Sequence, residues 1–151
     1  MADKKNHILL ADDHGIIRLI VRIIIQKHLP DATFHEADDF GKVQQLIREL
    51  EFSLIVLDIN MPGGDYFETL ELISQNQGDA KILVFSSYDE SLYAIRSLEA
   101  GADGYIQKTS STEEFKKAIK QIVEIGRYAS NNINEQMYLR NKLDELEKKR
   151  A

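Results

Sequence analysis

The chain has 151 residues, a length typical of one globular domain that buries a sizeable core without cross-links. It contains no Cys, which excludes disulfides and thiolate metal sites, and no apolar run reaches the roughly 18–20 residues of a membrane-spanning helix. Its 19 basic and 25 acidic residues give a net charge of −6, which disfavours general binding of nucleic acid by this chain. Because the N-terminus shows no signal-peptide pattern, we expect a cytoplasmic location without membrane attachment.

Short apolar runs alternate with longer amphipathic ones, and this alternation predicts strands and helices in turn. In chain order the predicted elements are a strand over 7–11, a helix over 16–29, a strand over 33–37, a helix over 39–50, a strand over 53–57, a helix over 65–75, a strand over 81–85, a helix over 89–100, a strand over 103–106 and a helix over 112–125. Pro30 ends the first helix, Gly101 suits a left-handed helix end, and Ser111 with Glu114 has the spacing of a capping box.

Five strand–helix units in strict alternation indicate an α/β fold in which helices cover both faces of a parallel sheet. The runs at 54–57 and 82–85 are apolar at every position, as expected of central strands that are buried on both faces. With right-handed crossovers, the predicted architecture is a flavodoxin-like, doubly wound (βα)5 three-layer sandwich with strand order 2-1-3-4-5.

The last part of the chain has a different composition, so we divide the sequence into a domain over 1–129 and a segment over 130–151. After a turn or cap at Ser130, apolar residues recur among many charges, which predicts an extra C-terminal amphipathic helix. These residues are Met137, Leu139, Leu143 and Leu146. The helix is a linker, a helix that docks on its own domain, or a coiled-coil-like contact in a homodimer. The spacing leaves these alternatives open, because a coiled-coil assignment needs about three heptads or more.

Polar side chains follow four of the five predicted strands. The first strand is followed by Asp12 and Asp13, the third by Asp58, the fourth by Ser86 and the fifth by Lys108. In a doubly wound sheet, binding sites form outside the carboxyl ends of the strands. Because these four strands are neighbours in the predicted order, we expect their side chains to converge in one crevice.

Three carboxylates in one crevice repel one another, and they remain ionised only where cations compensate their charge. Lys108 supplies one positive charge, and a divalent cation would supply the rest. Oxygen ligands without Cys or a converging His favour a hard ion, and few carboxylates with open coordination positions favour Mg²⁺. Mg²⁺, an ammonium group and a hydroxyl suit an incoming phosphoryl group, and a carboxylate can act as its nucleophile to give an acyl phosphate.

The residues at these strand ends resemble a known family. Together with Ser86, the Asp pair at 12–13, the stretch DINMPG at 58–63 and the stretch GADGYIQK at 101–108 match the receiver domains of bacterial two-component response regulators. The resemblance covers about residues 6–127. Within the family, the stretches at 11–14 and 123–130 resemble the NarL/FixJ subfamily.

This resemblance implies that Asp58 accepts a phosphoryl group from a sensor histidine kinase or a phosphotransfer protein. It also implies that Asp13, Asp58 and the backbone carbonyl of Asn60 bind Mg²⁺, with Asp12 as a ligand directly or through water. Such a domain is a signalling switch and not an enzyme, with only intrinsic self-phosphorylation and dephosphorylation.

The resemblance also implies roles for Ser86, Lys108 and Tyr105. Ser86 and Lys108 would contact the phosphoryl oxygens, and Tyr105 matches the switch aromatic that turns inward as the hydroxyl moves toward phosphate. Phosphorylation would thereby change a surface around strands 4 and 5 and helix 4. Tyr66 departs from the family pattern, which usually has a small residue, often Gly, in the loop after the phosphoacceptor.

The first helix carries more apolar residues than packing on one sheet face requires. Between residues 16 and 25 only Arg18 and Arg22 are polar, whereas an apolar stripe of roughly 100° suffices for a core contact. By resemblance, this helix docks the kinase, so we expect some of its apolar residues to form a docking patch, with a purely core role as the alternative. The candidates are Ile16, Leu19, Ile20 and Ile23.

Other functions suit the sequence less well. A phosphatase of the haloacid dehalogenase type needs a general acid two residues after its nucleophile, where Asn60 cannot protonate a leaving group. A flavodoxin-like FMN carrier needs a phosphate loop where Asp12 and Asp13 would repel phosphate. We expect control of transcription through a C-terminal DNA-binding domain that these residues do not include, with a stand-alone receiver as the alternative.

The four His residues are predicted not to form a site. His7 begins a strand, His14 follows the acidic pair and His28 ends a helix. A metal cluster around His35 and its acidic neighbours competes with the simpler interpretation of a solvated loop.

Overall fold

Five parallel strands form one sheet with the order β2-β1-β3-β4-β5, as predicted. The computed structural model describes residues 6–150, so the outermost residues of the two predicted segments, 1–5 and 151, lie outside the described part. In chain order the elements are β1 (His7–Ala11), α1 (Gly15–His28), β2 (Thr33–Ala37), α2 (Phe40–Glu49), β3 (Leu54–Leu57), α3 (Tyr66–Asn76), β4 (Lys81–Ser86), α4 (Glu90–Glu99), β5 (Gly104–Gln107), α5 (Thr112–Ile125) and α6 (Asn131–Arg150). The flavodoxin-like α/β prediction, with an extra C-terminal helix, is confirmed.

The hydrophobic core lies on both faces of the sheet. Successive residues of β1 point to opposite faces, so that Leu9 belongs to one apolar cluster while Ile8 and Leu10 belong to the other. Helices α2, α3 and α4 cover the Leu9 face, and α1 and α5 cover the opposite face. All four residues of β3 are buried, as the unbroken apolar run predicted.

Helix caps explain most of the differences between predicted and observed helix ends. Asp39, Asp65 and Asp89 have extended backbones and accept hydrogen bonds from N–H groups in the first turns of α2, α3 and α4. Each of these helices therefore begins one residue later than the sequence pattern predicted. Ser111 caps α5 through the Glu114 N–H, but the Glu114 carboxylate accepts from the Tyr128 hydroxyl, so it leaves the capping box half formed.

Helix α6 packs on α4 with its first half and exposes its second half. Ile133 is fully buried and Met137 is partly buried against the core, whereas residues 141–150 are all exposed. Asn132 donates to Glu90 at the start of α4 at 3.2 Å, and Arg140 pairs with Glu99 at its end. Although α6 is the longest described helix, neither it nor any other helix within residues 6–150 is long and apolar enough to cross a membrane.

Candidate functional site

The predicted strand-end side chains meet at the carboxyl edge of the sheet. Backbone hydrogen bonds continue the ladder past the strand ends, from the Asp58 N–H to the Ala11 carbonyl at 2.9 Å and from the Lys108 N–H to the Ser86 carbonyl at 2.7 Å. These bonds hold Asp58 beside the end of β1 and Lys108 beside the end of β4. Asp12, Asp58 and Ser86 are buried, and Lys108 is partly buried beside them.

The Lys108 ammonium group lies between two of the carboxylates. Its nitrogen is 2.6 Å from Asp12 Oδ2 and 3.1 Å from Asp58 Oδ2, and the two acidic side chains are only 7% and 3% exposed. One positive charge therefore faces two buried negative charges, with the Asp13 carboxylate close by. The site keeps a net negative charge that a further cation would offset.

Burial and neighbouring charges shift the pKa values of Asp58 and Lys108. Burial raises the pKa of Asp58 above its ordinary value, and the Asp12 charge raises it further, against the opposing effects of Lys108 and the Asn60 N–H. Burial lowers the pKa of Lys108, but its hydrogen bond to Asp12 and the charges of Asp58 and Asp12 raise it to a net value above the ordinary one. The ammonium group is thus held in its charged form at neutral pH.

His14 joins the acidic cluster, which corrects the prediction that no His converges on this site. One ligand atom each from Asp12, Asp13, His14 and Asp58 lie within 4.8 Å of one another. The His14 backbone N–H donates to Asp12 Oδ1 at 2.9 Å, and this turn brings the ring Nδ1 to 2.9 Å from Asp13 Oδ1. The adjacency of His14 to the acidic pair was the available signal, but a strand-based pattern does not describe the turn that follows β1.

The loop after β3 brings Asn60 beside Asp58. The Asn60 N–H donates to Asp58 Oδ1 at 3.3 Å, so the chain turns back over the carboxylate. Pro62 accepts a hydrogen bond from the Phe40 N–H at 2.9 Å, and Gly63 follows with a φ of 86°, a left-handed conformation that favours glycine. The loop is therefore tied to the start of α2.

Ser86 and Tyr105 are linked through the same residue. The Ser86 hydroxyl accepts from the Tyr88 N–H at 3.1 Å, and the Tyr105 hydroxyl donates to the Tyr88 carbonyl at 2.8 Å. Tyr105 is fully buried, and burial raises the pKa of its phenol well above the ordinary range. The structure thus brings the two predicted switch residues to either side of the segment between β4 and α4.

Tyr66 occupies a buried position where it connects α3 to α4. Its hydroxyl forms a 2.7 Å hydrogen bond with the Ser97 hydroxyl, and burial raises the pKa of the phenol well above the ordinary range. The guanidinium carbon of Arg96 lies 4.0 Å from the ring centroid of the next residue, Phe67. Both contacts join α3 to α4, and a sequence pattern could not indicate them because they link residues about 30 apart in the chain.

A match to a family model identifies the family of this chain. The model of the response regulator receiver domain matches residues 8–120, which is well over half of the sequence. The chain belongs to the response regulator receiver family. Its known members are signalling domains of two-component systems and not classical enzymes.

Relatives of this receiver domain include both full-length regulators and isolated domains. The nitrate/nitrite response regulator NarL of Escherichia coli (strain K12) is 36% identical over 115 residues, which are 76% of this chain and 53% of NarL. The crystal structure of a LuxR-family two-component response regulator from Aurantimonas sp. SI85-9A1 is 33% identical with a TM-score of 0.74, and the match covers 93% of this chain and 99% of that one. The beryllofluoride-activated NtrC4 receiver domain dimer, solved in solution, is 27% identical with a TM-score of 0.67 and covers 76% and 93%.

These comparisons confirm the resemblance to NarL-like regulators and decide against a dehalogenase-type phosphatase or an FMN carrier. The chain spans about half the length of the curated relatives it matches.

Helix α1 of the receiver domain turns its surplus apolar residues outward. Val21, Ile24 and Ile25 are buried against the sheet, whereas the four candidate docking residues are between 47% and 65% exposed. They are Ile16, Leu19, Ile20 and Ile23. A purely core role for them is therefore wrong, and their role as a docking patch stays a prediction.

His35 pairs with His7 instead of lying in a solvated loop. The His7 Nδ1 and His35 Nε2 atoms are 2.9 Å apart, and the His35 ring meets the edge of Phe52 with a centroid distance of 5.6 Å. Parallel pairing of β1 with β2 aligns His7 with Thr33, which leaves His35 close to it on the same face. Burial, followed by the neighbouring His7, lowers the pKa of His35.

Proposed function

We propose that this receiver domain is a Mg²⁺-dependent phosphorylation switch whose phosphoacceptor is Asp58. One observation carries the proposal: the Lys108 ammonium nitrogen lies 3.1 Å from Asp58 and 2.6 Å from Asp12. A fixed cation beside a buried carboxylate suits the negative charge that develops when a phosphoryl group approaches. The remaining negative charge of the cluster suits a divalent cation.

In the proposed transfer, a carboxylate oxygen of Asp58 attacks the phosphorus of a phosphohistidine on a sensor histidine kinase or a phosphotransfer protein. A new P–O bond forms as the P–N bond breaks, and the imidazole nitrogen keeps the electron pair of that bond. The product is an acyl phosphate on Asp58. The Lys108 ammonium and the Ser86 hydroxyl would then contact the phosphoryl oxygens.

The donor set fits Mg²⁺. The Asp12, Asp13 and Asp58 carboxylates gather around one point, and hard oxygen donors are the ligands that Mg²⁺ prefers. These carboxylates and the Asn60 backbone carbonyl would hold the ion, with Asp12 as a ligand directly or through water. Bound Mg²⁺ would offset charge on the phosphoryl oxygens. We assign His14 to orienting the Asp12 and Asp13 carboxylates, because an imidazole nitrogen is a poor match for a hard ion.

The proposed switch runs through Ser86 and Tyr105. Both hydroxyls are bonded to Tyr88, so a shift of Ser86 toward a phosphoryl group would disturb the segment that starts α4. Phosphorylation would then change the population of two arrangements of the surface around β4, β5 and α4.

The exposed apolar residues of α1 are the proposed kinase-docking patch. If they are, Ile20→Glu lowers phosphotransfer from the cognate kinase and leaves phosphorylation by the small donor acetyl phosphate unchanged. Leu92→Glu, which changes another exposed apolar residue on a different helix, α4, is the control. Equal phosphotransfer to wild type and Ile20→Glu would contradict the docking proposal.

We further propose control of transcription as the output, since NarL and the LuxR-family neighbour are response regulators and NarL is about twice as long as the matched region. Residues 1–129 would be the receiver unit, and 130–151 a linker or additional helix. The DNA-binding activity would reside in a further domain, since this chain is acidic; a stand-alone receiver remains the alternative. The activated NtrC4 receiver forms a dimer, which supports a homodimer here. The cytoplasmic location stays a prediction.

The decisive experiment compares wild type with Asp58→Asn by intact mass after incubation with acetyl phosphate, with and without Mg²⁺. We expect one phosphoryl adduct on wild type only, and only with Mg²⁺. Asp65→Asn, which changes the exposed carboxylate that caps α3, is the matched control and should be phosphorylated like wild type. An adduct that survives Asp58→Asn, or that forms equally in a chelator, would overturn the proposal.

A further inference from the structure

We propose that α6 forms a parallel two-stranded coiled coil with α6 of a second copy of this chain, along an exposed stripe that begins at Leu139. The proposal goes beyond the phosphorylation switch, because it assigns a dimer surface and does not require phosphorylation of Asp58. It rests on three features of α6: an exposed leucine stripe, a separate face used for docking on α4, and a self-complementary pattern of charges.

The leucine stripe consists of Leu139, Leu143 and Leu146. These residues are spaced by four and then three positions, and their side chains are 54%, 61% and 57% exposed. This spacing places them on one face of a helix, at successive d, a and d positions of a heptad. These three exposed leucines form an apolar stripe among mostly charged neighbours, and a second helix can cover such a stripe.

The contact of α6 with its own domain uses a different face. Ile133, Met137 and Arg140 follow one another at helical spacing and lie against the core or pair with α4. At about 100° per residue, this face is separated from the leucine stripe by about 120°. Docking on α4 therefore anchors α6 and leaves the stripe free for another helix.

The flanking charges favour a parallel pair of identical helices. Glu135 and Lys142 occupy g positions, and Arg140 and Glu147 occupy e positions. In a parallel coiled coil each g residue faces the e residue five positions later in the other chain. Glu135 would then face Arg140, and Lys142 would face Glu147, so both pairs have opposite charges.

An antiparallel pair on the same stripe is disfavoured. With Leu139 of one helix beside Leu143 of the other, each Lys142 would face Lys142 of the second copy, and each Arg140 would face Arg140. Arg140 also pairs with Glu99 of its own α4. The pair of Lys142 and Glu147 is therefore the cleaner test of orientation. Its competitor, the ion pair of Lys142 with Glu145 at 3.8 Å, is exposed and weak.

Analytical ultracentrifugation of the 151-residue chain over a concentration series tests the surface. We expect a reversible monomer–dimer equilibrium whose dissociation constant rises at least about tenfold in Leu143→Asp, because each chain then loses a buried Leu side chain. Asn141→Asp, on the opposite face of α6, is the matched control and should behave like wild type. A wild-type chain that stays monomeric at all concentrations, or equal effects of the two substitutions, would overturn the proposal.

Two further sets of variants test the orientation. Lys142→Glu and Glu147→Lys should each weaken the dimer, and the chain that carries both should regain wild-type affinity. Because the chain has no Cys, Leu143→Cys should form a disulfide-linked dimer on mild oxidation, and Asn141→Cys should form far less. Failure of the double variant to recover, or equal cross-linking at both positions, would overturn the parallel pairing.

The outcome is separable from the phosphorylation proposal. Asp58→Asn should dimerise like wild type, and Leu143→Asp should still form the acetyl phosphate adduct with Mg²⁺. Loss of dimerisation in Asp58→Asn would overturn the independence of the two features. Circular dichroism of the α6 variants should show unchanged helix content, because the substituted residues are exposed.

Discussion

Buried polar side chains lie at both ends of the parallel strands, but their hydrogen-bonding and charge requirements are satisfied to different extents at the two ends. At the amino-terminal edge, Gln77 accepts from the Phe52 N–H at 2.9 Å and donates to the Ile47 and Leu50 carbonyls at 2.8 and 2.7 Å. At the carboxyl-terminal edge, two buried carboxylates share the single ammonium group of Lys108. Gln77 is neutral and completely bonded, whereas the carboxylate cluster keeps an excess of negative charge.

This difference shows that charge balance locates the candidate site better than cavity size does. An open cleft of about 550 Å³ lies at the amino-terminal edge, and its lining includes Gln77, Phe52, Glu49, Glu51 and Asp79. Within residues 6–150 no buried side-chain nitrogen or oxygen lacks a hydrogen-bond partner. The cleft therefore contains no buried polar side-chain atom that a ligand would be needed to satisfy. Among the described residues, the carboxyl edge holds two buried carboxylates and one ammonium group, and such an excess of buried charge is typical of functional sites.

Removal of the shared cation should have the largest effect. Lys108→Ala is expected to slow phosphorylation by acetyl phosphate by about 10²–10³-fold, a typical cost of losing a fixed positive partner in the transition state. The rate of adduct formation, followed by intact mass, measures this. Lys120→Ala, on the exposed face of α5, is the control. A rate for Lys108→Ala within about twofold of wild type would show that Lys108 does not stabilise the transition state of phosphorylation.

A substitution at the amino-terminal edge should lower the stability of the domain without changing its rate of phosphorylation. Gln77→Ala leaves one N–H and two carbonyls without partners, so we expect the free energy of unfolding in urea to fall by about 2–3 kcal/mol. The acetyl phosphate adduct should form at the wild-type rate under native conditions. Gln75→Ala, an exposed neighbour on α3, should cost less than about 0.5 kcal/mol. A slower rate of phosphorylation in Gln77→Ala would contradict a purely structural role for the amino-terminal edge.

Removal of one carboxylate should stabilise the domain when no divalent cation is present. The pKa of Asp58 is raised in the folded state above its ordinary 3.8, so the stability linked to its protonated form is lost as the pH rises from 3.8 through the folded-state pKa. At neutral pH, Asp58→Asn should therefore increase the free energy of unfolding by on the order of 1 kcal/mol.

Mg²⁺ should reverse this order, because wild type gains binding free energy that Asp58→Asn lacks. Urea unfolding in a chelator and in millimolar Mg²⁺ measures both effects. Asp65→Asn, which removes an exposed carboxylate but keeps a side-chain oxygen that can cap α3, should change the free energy of unfolding by less than about 0.5 kcal/mol under both conditions. Destabilisation of Asp58→Asn in the chelator would contradict an excess of negative charge at the site.

The His7–His35 pair should produce the smallest of these effects. The pKa of His35 is lowered in the folded state, so the unfolded chain binds more protons as the pH falls below about 6.5, and stability should decrease there. Unfolding in urea at about pH 7.5 and about pH 5.5 measures the slope, which should be shallower in His35→Gln. His28→Gln, an exposed position at the end of α1, should keep the wild-type slope. Equal slopes in all three proteins would refute the assignment.

Most of the fold and much of the candidate site could be predicted from sequence for a physical reason. Strands buried on both faces, such as β3, are apolar at every position, and the alternation of strands with helices restricts the topology to very few arrangements. Once the strand order follows, the residues after each strand must meet at one edge. The convergence of Asp12, Asp58 and Lys108 was therefore predictable, although no side-chain distance was.

Features that depend on the path of a loop or on contacts between distant segments were not predictable. The turn that folds His14 onto the acids, the Tyr66–Ser97 bond and the His7–His35 pair each join groups whose approach depends on the path of a loop or on neighbouring elements. The alternatives for α6 were open for the same reason, since its docking through Ile133 and Met137 requires the surface of α4.

By itself, the sequence determined the alternation of strands and helices and the charged residues that follow the strands, because burial and backbone hydrogen bonding act through short periodic patterns. The strand order was predictable because few doubly wound topologies satisfy the rules of right-handed crossover. Only the tertiary structure decided how those charges pair, which helix faces stay exposed and which polar groups are satisfied. These properties arise from distances between segments far apart in the chain, and electrostatic and packing energies change steeply with such distances.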